Sequence, residues 1–246
     1  MPSRIDVAKV NLRHRRQTAV ETSYLTTVGI GVGALAFTAD WLSDPVSRLL
    51  TPLVSSGFAW SCTALVCGLT AHTLPSALRR GVGVPVLATL AYYGLILFAS
   101  RRWHHGGETD GSPLLPYGLP SVAKATTMWL IGSIFAGIIM GFLAHKIRRG
   151  AIRTRTIATG VSSGLLASDG AHSLLHVAFF WIGPIDSFII GKVQSALIQV
   201  SLAISTSIII FRIFKLQFTW PAFASTATMS TATSICLWHV VSLFEY

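Results

Sequence analysis

Asp169, His172 and His176 are spaced i, i+3 and i+7 within the apolar stretch LLASDGAHSLLHVAFFW. On a helix those offsets place all three side chains on one face. A carboxylate beside two imidazoles can relay protons, because histidine titrates near neutrality. Farther along, Cys236 and His239 repeat the i, i+3 spacing. If the two stretches pack together, His172, His176, Cys236 and His239 are candidate ligands for zinc or another transition metal, which needs about four N, S or O donors. His-x-x-x-His by itself lacks the Glu of the His-Glu-x-x-His zincin motif. The same polar groups can instead pair with one another and set helix packing. Ionisable groups at bilayer depth are costly, so they mark a pathway, a buried pair or a site.

The elements that must position these residues are membrane helices. Of 246 residues, 52% are hydrophobic and only 11% are charged, against about 25% charge in soluble domains. Too little polar surface exists to face water on all sides, so a lipid bilayer is the natural solvent. The net charge is +10, but the basic residues lie between apolar runs. That pattern reads as membrane topology and not as nucleic-acid binding. Cys62, Cys67 and Cys236 all sit in apolar runs and form no disulfide framework.

A spanning helix needs roughly 20 mostly apolar residues. Seven stretches meet or approach this: 23–41, 56–74, 82–99, 127–145, 156–182, 187–211 and 221–244. Most of the 19 Lys and Arg residues then fall on alternate segments, at 1–22, Arg79–Arg80, Lys146–Arg155 and Arg212–Lys215. The bias favours an inside N-terminus and an outside C-terminus with seven spans; six spans is the alternative. The first run follows Arg13, Arg15 and Arg16 and is read as an uncleaved signal anchor. The fold class is therefore an all-α polytopic transmembrane bundle, one integral membrane domain over 1–246, located in the plasma membrane. Its basic segment 1–22 is cytoplasmic and its Gly- and Pro-rich segment 101–123 is an outer loop. His104, His105, Glu108 and Asp110 in that loop are a weaker metal-binding candidate.

Gly29/Gly33, Gly137/Gly141 and Gly160/Gly164 are small-x-x-x-small pairs, which allow close helix approach in lipid. VGIGVGALAF at 28–37 echoes TGVSSGLLAS at 159–168, as parallel repeats joined by the fourth span would. The last run is rich in hydroxyls from Ser225 to Ser234, suited to interhelical bonds or to a wet wall.

Ser56-Gly57-Phe58-Ala59-Trp60 followed by Gly68, the pair Tyr92-Tyr93, and Trp129 with Gly137 and Gly141 carry a resemblance. Over residues 25–165 the chain resembles a family of uncharacterised small multi-span integral membrane proteins of actinobacteria and related bacteria. The resemblance implies a multi-span fold and no established activity, and its motifs do not include Asp169, His172 or His176.

No P-loop or Cys-x-x-Cys is present, so ATP would have to be used by a partner such as an ATPase subunit. The expected function is a small membrane transporter or the membrane subunit of a transport system, with Asp169, His172 and His176 as the transport or proton-relay residues. The alternatives are a membrane assembly or interaction protein with a structural polar cluster, and an intramembrane metal-dependent enzyme.

Overall fold

The apolar runs fold as helices, and turn residues separate them. A computed structural model describes residues 4–40, 42, 46, 50, 53–99, 115–215 and 219–242, with side chains described at 21–40, 42, 46, 50, 53–99, 119–215 and 219–237. Among the described residues, seven helices of ten residues or more follow in order: α1 (Arg4–Ala39), α2 (Gly57–Leu69), α3 (Leu74–Ala99), α4 (Leu115–Arg149), α5 (Ile152–Phe179), α6 (Ser187–Phe214) and α7 (Trp220–Ser242). Their ends have local causes. Ser56 caps α2 by accepting from the Ala59 N–H, and Asp186 caps α6 by accepting from the Ile189 N–H. Pro75 sits in the first turn of α3, where its missing N–H costs nothing. Lys215, at φ 46°, closes α6 in the left-handed conformation.

Among the described residues, four helices are long and apolar enough to cross a membrane: Glu21–Ala39 of α1, Leu74–Ala99, Leu119–Arg149 and Ser187–Phe214. This corrects the expectation of seven or six spans. The reasons differ by helix. α2 has 13 residues and rises about 20 Å, short of a hydrocarbon core about 30 Å thick. α5 has the length, at 28 residues, but carries Arg153, Arg155, Asp169, His172 and His176 among many Ser and Thr. α7 is similarly diluted by its hydroxyl residues.

Two boundaries also move. The basic N-terminal segment continues into the first span as one helix from Arg4. The expected loop 101–123 gives up 115–123, which are the first turns of α4. Residues 101–114, with Trp103 and the candidates His104, His105, Glu108 and Asp110, lie outside the described residues.

The bundle is built on glycine seams. Pro85 removes the N–H that would bond to the Gly81 carbonyl one turn back. That carbonyl lies against α4, where a Cβ on Gly137 would stand 2.5 Å from it. A Cβ on Gly141 would stand 2.6 Å from the Ala77 carbonyl, so α3 and α4 touch backbone to backbone. Gly29 and Gly33 seat α1 on Val84 to Tyr92 of α3, and Gly160 and Gly164 seat α5 on Phe223 to Thr231 of α7. The echo at 28–37 and 159–168 thus has a packing counterpart at both of its shared glycines. The larger core gathers Phe58 and Leu65 of α2, Met140 and Ile147 of α4, Leu166 of α5 and Ile210 of α6. The outer face of α4 shows Ile131, Ile134, Phe135, Ile138 and Phe142, an apolar stripe suited to lipid.

One end of the bundle is basic and tied down. Glu21 of α1 accepts from Ser76 Oγ at 2.5 Å and Arg80 Nε at 3.1 Å, and lies 3.7 Å from Arg79. Arg80 Nη1 donates to Thr70 Oγ1 at the end of α2. Arg148 Nη1 donates to the Leu69 and Ala71 carbonyls, and Arg155 Nε to the Ile147 carbonyl. Arg148 and Arg155 thereby cover carbonyls that helix ends leave without partners.

Candidate functional site

Away from that basic end, two cavities lie side by side. The larger, about 510 Å³, is walled by Ser55–Phe58 and Ser61 at the start of α2, Trp129, Ala136, Ile139 and Met140 of α4, Leu165, Ser168 and Asp169 of α5, and Ser234 of α7. The smaller, about 140 Å³, is lined by Ser55, Ser56, Trp60, Tyr92, Tyr93 and Trp129. Ser55, Ser56 and Trp129 belong to both. Asp169 lies 17 residues beyond the start of α5, about 25 Å along its axis. It therefore sits just past the middle of α5, on the side away from the arginines.

Asp169 is half-buried and is the acid of the larger cavity. It takes part in neither ion pair of Glu21, and no described side chain hydrogen-bonds to it. Its neighbour Ser168 accepts from Ser234 Oγ at 2.9 Å and donates to the Leu165 carbonyl. Ser230 and Thr231 donate to the Val161 and Gly164 carbonyls. Ser230, Thr231 and Ser234 of α7 therefore bridge to α5, and Ser234 also reaches the cavity wall, whereas Ser225, Thr226 and Thr233 bond to carbonyls of α7 itself.

The three candidate residues separate. Asp169 faces the cavity, whereas His172 and His176 continue along α5 with ring centroids 6.3 Å apart. His176 stands 6.3 Å from Phe180, and its Nδ1 is buried with no hydrogen-bond partner among the described residues. α5 and α7 do pack together. Even so, among the described residues no group of three or more His, Cys, Asp or Glu is gathered to hold a metal ion. Cys236 is exposed, and the His239 side chain lies outside the described residues. Cys62 and Cys67 are free thiols, the first 3.8 Å from Thr206 Oγ1 and the second accepting from Tyr24 OH.

The aromatic wall is held from several sides. Trp60 Nε1 donates to the Val54 carbonyl at 3.2 Å, and Tyr92 OH donates to Asp40 Oδ2 at 2.6 Å. Trp60 meets Tyr92 edge-on at 6.4 Å and Trp129 at the same distance, and Tyr92 meets Tyr93 edge-on at 5.1 Å. Edge-to-face pairs at these spacings are favourable. Reading the sequence for titratable groups passes over Trp60, Tyr92, Tyr93 and Trp129. The available signal is that Tyr92 lies inside an apolar run, not at its end where an interfacial belt would put it.

Residues 12–242 match a family described as "Family of unknown function (DUF6518)". The match takes in Asp169, His172 and His176, beyond the 25–165 range of the resemblance. It agrees with that resemblance in pointing to an uncharacterised family of proteins with membrane-spanning helices. No curated protein matches the chain, and no solved structure does.

Proposed function

We propose that this chain, which belongs to the DUF6518 family of unknown function, is a small transporter or the membrane subunit of a transport system in the plasma membrane. The chain is a multi-pass membrane protein; the transport role is our reading of its interior. The observation that carries it is Asp169, a carboxyl group that no described side chain hydrogen-bonds, on the wall of a cavity of about 510 Å³. A volume of roughly 300–1,000 Å³ suits a small-molecule site. Unpartnered acids in membrane-embedded bundles are expensive and are kept where an ion or solute meets them. Five serines around the same space, Ser55, Ser56, Ser61, Ser168 and Ser234, supply hydroxyls that can replace a solute's water. In this reading Asp169 contacts the solute or proton, while His172 and His176 extend the polar path along α5.

The direct test is charge movement across reconstituted vesicles during rapid addition of amines, amino acids and inorganic ions. Wild-type protein should give a saturable signal with at least one class. Asp169→Asn should lower it by about tenfold or more, the scale of a lost charge-assisted hydrogen bond, with unchanged abundance and elution profile. Wild-type flux from the Asn variant removes Asp169 from the mechanism. Absence of flux with every class favours the assembly reading, in which the polar cluster specifies packing.

A further inference from the structure

We propose that the two adjoining cavities form a binding site for a small organic cation, an alkylammonium or quaternary ammonium compound. This deepens the transport reading by naming the class of solute, but the binding claim stands on geometry of its own. The smaller cavity is lined by four aromatic residues and two serines. Aromatic faces attract cations through their quadrupole, and most strongly those of tryptophan. Trp60 and Tyr92 are orientated by hydrogen bonds to Val54 and Asp40 and by edge contacts among the rings, so the wall is arranged before a ligand arrives. About 140 Å³ admits a compact head group and excludes a bulky one.

The larger cavity opens from the same Ser55, Ser56 and Trp129 edge and carries Asp169. A cation resting against Trp129 therefore shares its space with a carboxyl group that no described side chain engages. This placement is unusual for the chain as a whole, which has 19 Lys and Arg against 9 Asp and Glu. Among the described residues no basic side chain lines either cavity; Arg79, Arg80, Arg148 and Arg155 are committed at the opposite end of the bundle. The start of α2 also borders the larger cavity, and Ser56 already occupies the Ala59 N–H there. Among the described residues, aromatic walls and one acid with no base beside them select for positive charge carried on an apolar body. A hydrated metal ion gains little from such a lining.

The experiment uses the whole purified chain in detergent, titrated with tetramethylammonium chloride at constant ionic strength and followed by tryptophan fluorescence and thermal midpoint. The comparison probe is tert-butyl alcohol, a neutral molecule of similar shape. We expect saturable binding of tetramethylammonium and a response to the alcohol weaker by about tenfold or more. Asp169→Asn and Trp129→Leu should each weaken cation binding by about three- to thirtyfold. Equal responses to the two probes, or no saturable response from folded wild-type protein, overturn the proposal without relying on any variant. Unchanged affinity in both variants overturns it as well. Binding without flux in vesicles supports the site and removes only the transport reading. Cation flux that is unaltered in Trp129→Leu keeps transport and overturns the aromatic site.

Discussion

Gly137→Ala is expected to destabilise the protein by roughly 2–3 kcal/mol, in the upper part of the range for overpacking a well-filled contact. The added methyl carbon would stand 2.5 Å from the Gly81 carbonyl oxygen and 2.7 Å from Val82 Cα. Both are backbone atoms of α3, so no flexible side chain can yield, and the two helices must move apart. That movement would expose the Gly81 carbonyl, which Pro85 leaves without its helical partner. Alanine is otherwise the better helix former by about 1 kcal/mol, so sterics and propensity oppose each other here. Gly132 on the same helix separates the two effects: a Cβ there meets nothing within 4 Å. Gly132→Ala should therefore be neutral or slightly stabilising. The check is the thermal midpoint of purified protein followed by size-exclusion chromatography. Equal midpoints for the two variants would show that α3 and α4 are not packed backbone to backbone.

The second large effect is expected at Arg148. Its Nη1 donates at 2.7 Å to the Leu69 carbonyl and at 3.0 Å to the Ala71 carbonyl, in surroundings where Ala71 is buried. Arg148→Ala leaves both acceptors without this donor, at a cost of about 2–3 kcal/mol for hydrogen bonds to a charged group. It also removes positive charge from the negative end of α2. Because the other end of α2 supplies Ser55 to Ser61 of the larger cavity, looser anchoring should weaken solute binding as well as stability. Arg148→Lys should recover part of the loss, since a lysine keeps the charge but not the planar fork. Arg149→Ala removes the same charge from an exposed neighbour and should change the thermal midpoint little. Matching losses for Arg148→Ala and Arg149→Ala would mean that net charge matters at this end and the carbonyl contacts do not.

Most helices were legible from apolar runs and their punctuation, because lipid solvation imposes a local length and composition rule. α6 begins at Ser187 and α7 at Trp220, close to the expected 187 and 221, each where a polar cap or a proline marks the start. The spanning count was not legible in the same way. Treating 56–74 as a span counts Thr70 to Thr73 as helix, yet the chain turns there before Pro75. α2 is short and apolar because it is enclosed by protein: Phe58, Leu65 and Leu69 are buried in the core beside α4 and α5. Hydropathy cannot distinguish a side chain buried in protein from one buried in lipid.

The site divides along the same line. Asp169 was readable because a lone acid in an apolar run is conspicuous within a single helix, and its i, i+3 and i+7 relation to the histidines is a helical property. Which of the three residues meets a cavity depends on what α5 packs against. That was decided by glycines at Gly160 and Gly164, which turn one face of α5 onto α7, and by Ser168 bonding to Ser234. The aromatic wall depends even more on tertiary structure, because Trp60, Tyr92 and Trp129 come from three helices. The sequence by itself determined the solvent of this protein, its helical class and the cost of Asp169, all set by local composition and period. Tertiary structure alone decided the enclosure of α2 by protein and the joining of Asp169 to an aromatic cavity, because both depend on which buried faces meet across distant parts of the chain.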